Sequence, residues 1–232
     1  MPDEIQEILD AYDVLVKGID QSALANTKGR AYGGIVRAGK GELVESIAKS
    51  LVRIAWERLG KPSHRLNLDR KPVILKIQKE YLEKLQNVEV KNHIKNRISD
   101  YSYTYKPDVS VTIDGKYVIA IECKAYTENA MIKRILVDST LIKHIHPNII
   151  SILFQLESQL GGDYSELKNV TYGSSSTHTL LSYFDIDLYI ITLLKGERKV
   201  DKPIHKKQFF KPLKRESLER SINILKEILN KY

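Results

Sequence analysis

KPDVSVTIDGKYVIAIECK, residues 106–124, is the stretch on which the reading of the whole chain turns. Val109, Val111 and Ile113 alternate with Asp108, Ser110 and Thr112, the period of two expected of a strand with one buried face. Asp114-Gly115 supplies a tight turn. The returning arm, Lys116 to Lys124, is rich in β-branched and aromatic residues, and its Glu122 and Lys124, two apart, point from one face. Pairing around the turn brings Asp108, Glu122 and Lys124 to one end of a hairpin. Charge placed directly after the apolar run VIAI is costly to bury, which argues that it has a use.

Two carboxylates and an amine at a strand end suit a hard divalent cation, which is commonly held by one or two carboxylates together with phosphate and water. A nearby ammonium can offset charge that develops on a phosphoryl group. Pro107-Asp108, followed fourteen residues later by Glu122-Cys123-Lys124, resembles the signature of the PD-(D/E)XK nuclease superfamily, and most of all its type II restriction endonucleases. The resemblance implies an α/β/α sandwich around a mixed β-sheet, with N-terminal helices and a basic C-terminal extension. It implies Mg2+ on Asp108, Glu122 and the backbone carbonyl of Cys123, with Lys124 assisting the attacking water. It further implies a homodimer that cuts double-stranded DNA at specific sites and leaves 5′-phosphate ends. Many such nucleases also turn a glutamate of an early helix into the metal site. Glu45 fits that pattern best and Glu42 is the alternate, although Glu45 and Lys49 also form an i,i+4 pair.

The 232 residues are enough for a sizeable core, and 42% hydrophobic with 28% charged residues is the composition of a globular protein. A single nuclease domain is expected over 1–232, with a catalytic core of about 40–194 and a basic segment and helix over 195–232. The formal charge of +8 favours a polyanionic partner. One cysteine, Cys123, excludes an intramolecular disulfide and fits a reducing cytoplasm, and no apolar run approaches the length of a membrane span, so no membrane partner is expected.

Residues 3–18 and 42–59 have apolar positions at helical spacing. Between them, Thr27–Gly41 mixes five glycines with Lys28, Arg30, Arg37 and Lys40 and reads as a flexible basic loop suited to DNA phosphates. It nearly spells a phosphate-binding loop, but Gly41 stands where Ser or Thr is required, so no nucleotide cofactor is expected. Residues 72–86 and 88–98 read as helices, and Tyr101, Tyr103 and Tyr105 alternate into the hairpin. A helix follows with Thr127 as N-cap, then a buried strand over 149–156, a polar loop, a short helix and a second apolar strand over 185–194. Strand, helix, strand, helix, strand beside a hairpin makes an α/β fold with a mixed sheet.

From Lys195 to Arg215 there are nine lysines and arginines, among them Arg198, Lys199, Lys206 and Lys207, a density that favours contact with the phosphate backbone. The closing helix either seals the core or joins a dimer. His144 and His146 lack a third imidazole or thiolate at ligand spacing. Other readings are a Holliday-junction resolvase or repair nuclease of the same superfamily, a non-catalytic DNA-binding module, and a basic RNA-binding protein. The last leaves Asp108, Glu122 and Lys124 without a purpose.

Overall fold

The computed structural model of the chain describes residues 3–26, 30–165 and 173–232, with 21–26 and 30–33 by backbone alone. In chain order the elements are α1 (Glu4–Asn26), α2 (Arg30–Arg58), β1 (Leu66–Asp69), β2 (Val73–Lys76), α3 (Lys79–Lys84), α4 (Val88–Lys95), β3 (Ser102–Tyr105), β4 (Val109–Ile113), β5 (Lys116–Glu128), α5 (Asn129–Ile145), β6 (Ile150–Gln159), α6 (Ser175–Ser182), β7 (Leu188–Thr192) and α7 (Arg215–Leu229). Five strands form one sheet in the order β1-β4-β5-β6-β7, antiparallel from β1 to β5 and parallel from β5 to β7. β2 and β3 pair separately.

Helices cover both faces of the sheet. Ile119, Ile121 and Cys123 of β5 pack with Tyr12 of α1, Trp56 of α2 and Leu218 and Ile222 of α7. On the other face Ala120 joins Tyr105, Tyr117 and Ile142, and Leu153 packs on Ile132 and Leu136 of α5. Each large side chain of this kind contributes roughly 1.5–3 kcal/mol when fully buried. The result is the expected α/β/α sandwich around a mixed sheet. α7 seals the core, with Leu218, Ile222 and Leu229 at 0% exposure.

Three local expectations are corrected. The glycine-rich stretch is not a loop: from Arg30 onward it is the first part of α2. A glycine inside a helix costs roughly 0.5–1 kcal/mol relative to alanine unless close packing requires it. At Gly39 it does, because a Cβ there would lie 2.6 Å from Ile19 Cδ1 of α1. Residues 72–86 are not one helix but β2 followed by the short α3. Val73 and Leu75 pair with Tyr105 and Tyr103, and this tertiary pairing overrides the local helical preference. Thr127 is not an N-cap. It lies inside β5 opposite Ser158, and α5 begins after Glu128 without a side-chain cap.

Candidate active site

The hairpin reaches its register through an irregularity. At the turn Ile113 pairs with Lys116 and Thr112 with Tyr117, but beyond it Val111 pairs with Ile119 and Val109 with Ile121. Val118 is the extra residue of a β-bulge, and Val118 and Ile119 both enter the core beside α2. Continued by one step, the shifted register sets Asp108 opposite Glu122, and opposed residues share a face. Without the bulge Asp108 would oppose Ile121 instead. The turn has the left-handed backbone of a tight hairpin, with φ of 49° at Asp114 and 77° at Gly115, and Arg65 holds the Asp114 carboxylate at 3.0 Å.

Asp108, Glu122 and Lys124 meet at the end of the hairpin. Lys124 Nζ lies 2.7 Å from Glu122 Oε2, 3.1 Å from Asp108 Oδ2 and 3.2 Å from the Cys123 carbonyl oxygen. The Cys123 amide donates to Asp108 Oδ2 at 2.8 Å, and the Tyr105 hydroxyl donates to Glu122 Oε1 at 2.5 Å. Burial alone would depress the Lys124 ammonium, but the two carboxylates outweigh it and hold its pKa above the usual lysine value. The two carboxylates thus favour the ammonium form of Lys124. Burial pushes the Cys123 thiol well up, so its sulfur is an inert core atom and only its backbone faces the site.

Asp108, Glu122, Lys124 and Tyr105 line a cavity of about 350 Å³ together with Tyr103, Lys106, Arg134 and Asp138. Glu45 is not among the lining residues. It binds Lys49 at 2.7 Å and Arg70 Nε at 3.2 Å, and the same Nε reaches the Asp108 carbonyl at 3.3 Å. Burial opposes the charge on Glu45, yet the hydrogen bonds from Arg70 and Lys49 hold its carboxyl below the usual range. Glu45 thus connects to Asp108 through Arg70. Glu42, the alternate, is exposed on α2.

The donor set fits a hard cation on one observation: two carboxylate oxygens and a carbonyl oxygen already converge on a single positive atom, Lys124 Nζ. Such a sparse oxygen set suits an ion that keeps several waters and takes further ligands from phosphate. Among the described residues no cluster of three or more His, Cys, Asp or Glu side chains has ligand geometry. His144 Nδ1 lies 2.9 Å from the Thr140 carbonyl oxygen, and His146 packs edge-on against Tyr117.

Part of the basic segment is occupied by structure. Lys206 pairs with Asp20 at 2.8 Å, Lys211 with Glu157 at 2.9 Å, and Arg215 with Asp3. Arg198 stacks 3.7 Å above Tyr126. Lys40 Nζ lies 3.1 Å from His205 Nδ1, and burial lowers its pKa to about 8. Arg37, Lys199 and Lys207 are exposed. Lys28 lies outside the described residues, as does the side chain of Arg30.

Over 231 residues the sequence is 46% identical to the type II restriction enzyme DdeI of Desulfomicrobium norvegicum, an alignment spanning 98% of this chain and 96% of that protein. The chain belongs to the type II restriction enzymes. As a restriction enzyme it is a site-specific endonuclease. No family model matches the sequence. A solved structure described as the native BbvCI A2B2 tetramer at low resolution aligns over 97% of this chain and 87% of that one, with a TM-score of 0.37 and 12% identity.

Sequence reasoning missed Tyr105, Arg70, Lys106, Arg134 and Asp138. Tyr105 carried a signal, since it is the last of three alternating tyrosines and immediately precedes the motif. Arg70 carried none, because its role depends on β1 lying beside β4.

Proposed function

We propose that this restriction enzyme is a PD-(D/E)XK nuclease acting as a single domain, which hydrolyses phosphodiester bonds in double-stranded DNA with Mg2+ and leaves 5′-phosphate ends. The observation that carries the reading is the meeting of Asp108, Glu122 and the Cys123 carbonyl around Lys124 Nζ at one end of a cavity. Asp108, Glu122 and the Cys123 carbonyl hold the ion. When bound, it polarises a phosphoryl oxygen and makes a water more acidic. Lys124, in its ammonium form, orients the attacking water and offsets charge growing on the phosphate. The Cys123 amide and the Tyr105 hydroxyl fix the two carboxylates before substrate arrives.

Glu45 supports Asp108 through Arg70. Arg37, Lys199 and Lys207, with Lys28, Arg30, Lys40, Arg198 and Lys206, supply positive charge along the DNA backbone. Two copies related by a two-fold axis would match a palindromic site, the reason for expecting a homodimer.

The test is cleavage of a mixed set of plasmid and phage DNAs in Mg2+ against EDTA, with the native protein beside Lys124→Ala. Discrete, metal-dependent fragments with ligatable 5′-phosphate ends are expected from the native protein alone. Fragments that persist in EDTA, or with Lys124→Ala at the native rate, would overturn the assignment. Sedimentation on a cleaved site checks the dimer.

A further inference from the structure

We propose that Lys106 and Arg134 form a phosphate clamp at the mouth of the active-site cavity, gripping the DNA strand beside the bond to be cut. The inference rests on reading the cavity as the seat of that bond, and it names residues that the nuclease motif does not contain.

The cavity is lined by three carboxylates, Asp108, Glu122 and Asp138, and by three cations, Lys106, Lys124 and Arg134. Lys124 is committed between Asp108 and Glu122. A polyanion approaching the site therefore meets more acid than base unless the other two cations face it. They do. Lys106 is exposed, has no ion-pair partner among the described residues, and stands two residues before Asp108 on the link from β3 to β4. Arg134 comes from α5, and its side chain is 85% exposed. The two cations thus approach the carboxylates from different elements, as a clamp requires.

Arg134 also has a buried acid beside it. Its Nε lies 3.7 Å from Asp138 Oδ2, and the Asp138 side chain is only 9% exposed. Tyr103 lines the same cavity beside them. The Arg134–Asp138 separation is longer than a hydrogen bond, so the pair is a loose one and the guanidinium keeps its donors for a ligand. A guanidinium has five donors in a planar fork that matches phosphate oxygens, whereas an ammonium acts as a point charge. Met131 and Ile135 supply the apolar part of the same wall.

Contacts to phosphate carry no sequence information, which gives the clamp a signature distinct from base recognition. The test measures Kd for a linear duplex of arbitrary sequence, in EDTA, between 50 and 200 mM salt, for the native protein, Lys106→Gln, Arg134→Gln and Arg134→Lys. Thermal unfolding checks that each variant is folded. Each Gln variant is expected to lower the slope of log K against log[salt] by about 0.9, and the double variant by about twice that, equally on every sequence. Arg134→Lys is expected to keep the slope. Slopes unchanged in folded Gln variants, with a native protein that cuts DNA, would overturn the clamp and leave the nuclease reading in place. Reduced slopes with a native protein that cuts no DNA would uphold phosphate binding and overturn the nuclease reading.

Discussion

Tyr105 donates its hydroxyl to Glu122 Oε1 at 2.5 Å, while Lys124 engages the other oxygen of the same carboxylate. Glu122 is thereby gripped at both oxygens, once by a neutral donor from β3 and once by a cation of its own strand. Burial, reinforced by the charge of Glu122, pushes the Tyr105 hydroxyl far up, so it stays a donor at any working pH. Tyr105→Phe deletes only that donor. Cleavage is expected to fall roughly 10–100-fold and the Mg2+ needed for half-maximal rate to rise, the range for outer partners of metal ligands. Stability should change by only about 1 kcal/mol. Steady-state rates across a Mg2+ titration check the first outcome and urea unfolding the second.

Asp108 has two tasks that substitution can separate. Its Oδ2 accepts from the Cys123 amide at 2.8 Å, and Cys123 is buried. Asp108→Asn keeps an acceptor for that amide and removes the charge, so it should lose cleavage by at least about 100-fold with little change in stability. Asp108→Ala should lose cleavage too and cost about 1–3 kcal/mol more, because a buried N–H is left unpaired. Urea midpoints of the two variants give the comparison.

The glycines of α2 differ in what surrounds them. A Cβ at Gly34 or Gly41 would meet nothing within 4 Å, whereas one at Gly39 meets Ile19. Gly34→Ala and Gly41→Ala should each stabilise the protein by about 0.5–1 kcal/mol, the gain expected inside a helix. Gly39→Ala should gain less, and Gly39→Val should destabilise. No gain at Gly34 and Gly41 would contradict the helical assignment.

Asp163 ties two loop segments together, accepting from the Ser165 amide at 2.9 Å and from the Gly196 amide at 2.9 Å. Burial opposes its charge, yet these hydrogen bonds with the Ser165 hydroxyl hold its carboxyl below the usual range. A depressed acid contributes stability that is fully present above the unfolded value, about 3.9, and is lost as pH falls through the lower folded one. Asp163→Ala should therefore lower the Tm at pH 7, and the gap from the native protein should close as the buffer is taken below pH 4. A gap independent of pH would mean that packing, not charge, is what the variant loses.

The site was more legible than the periphery for a physical reason. Asp108, Glu122 and Lys124 are neighbours through a local hairpin, so the turn signal sufficed to bring them to one end of it, while the bulge sets Asp108 opposite Glu122. The bulge was legible in principle as well. Around a two-residue turn, directly opposed residues are an odd number of positions apart, yet Asp108 and Glu122 are fourteen apart. Arg134 reaches the site from α5, and Glu45 of α2 connects to it through Arg70, just after β1, and nothing in a local pattern says how those elements pack. The β2 strand failed for the same reason, since its partner lies some thirty residues away. The glycine run misled because flexibility and close helix contact favour the same residue.

Cys123 stands between two residues of the site, yet its sulfur is turned into the core, where the residue is 6% exposed and the thiol is held neutral. The chain has no other cysteine. It therefore carries a built-in clock for the opening of its working strand: a thiol reagent can react only in those moments when the sheet parts from α2. The labelling rate, followed with and without DNA, reads out how firmly the substrate locks that strand shut.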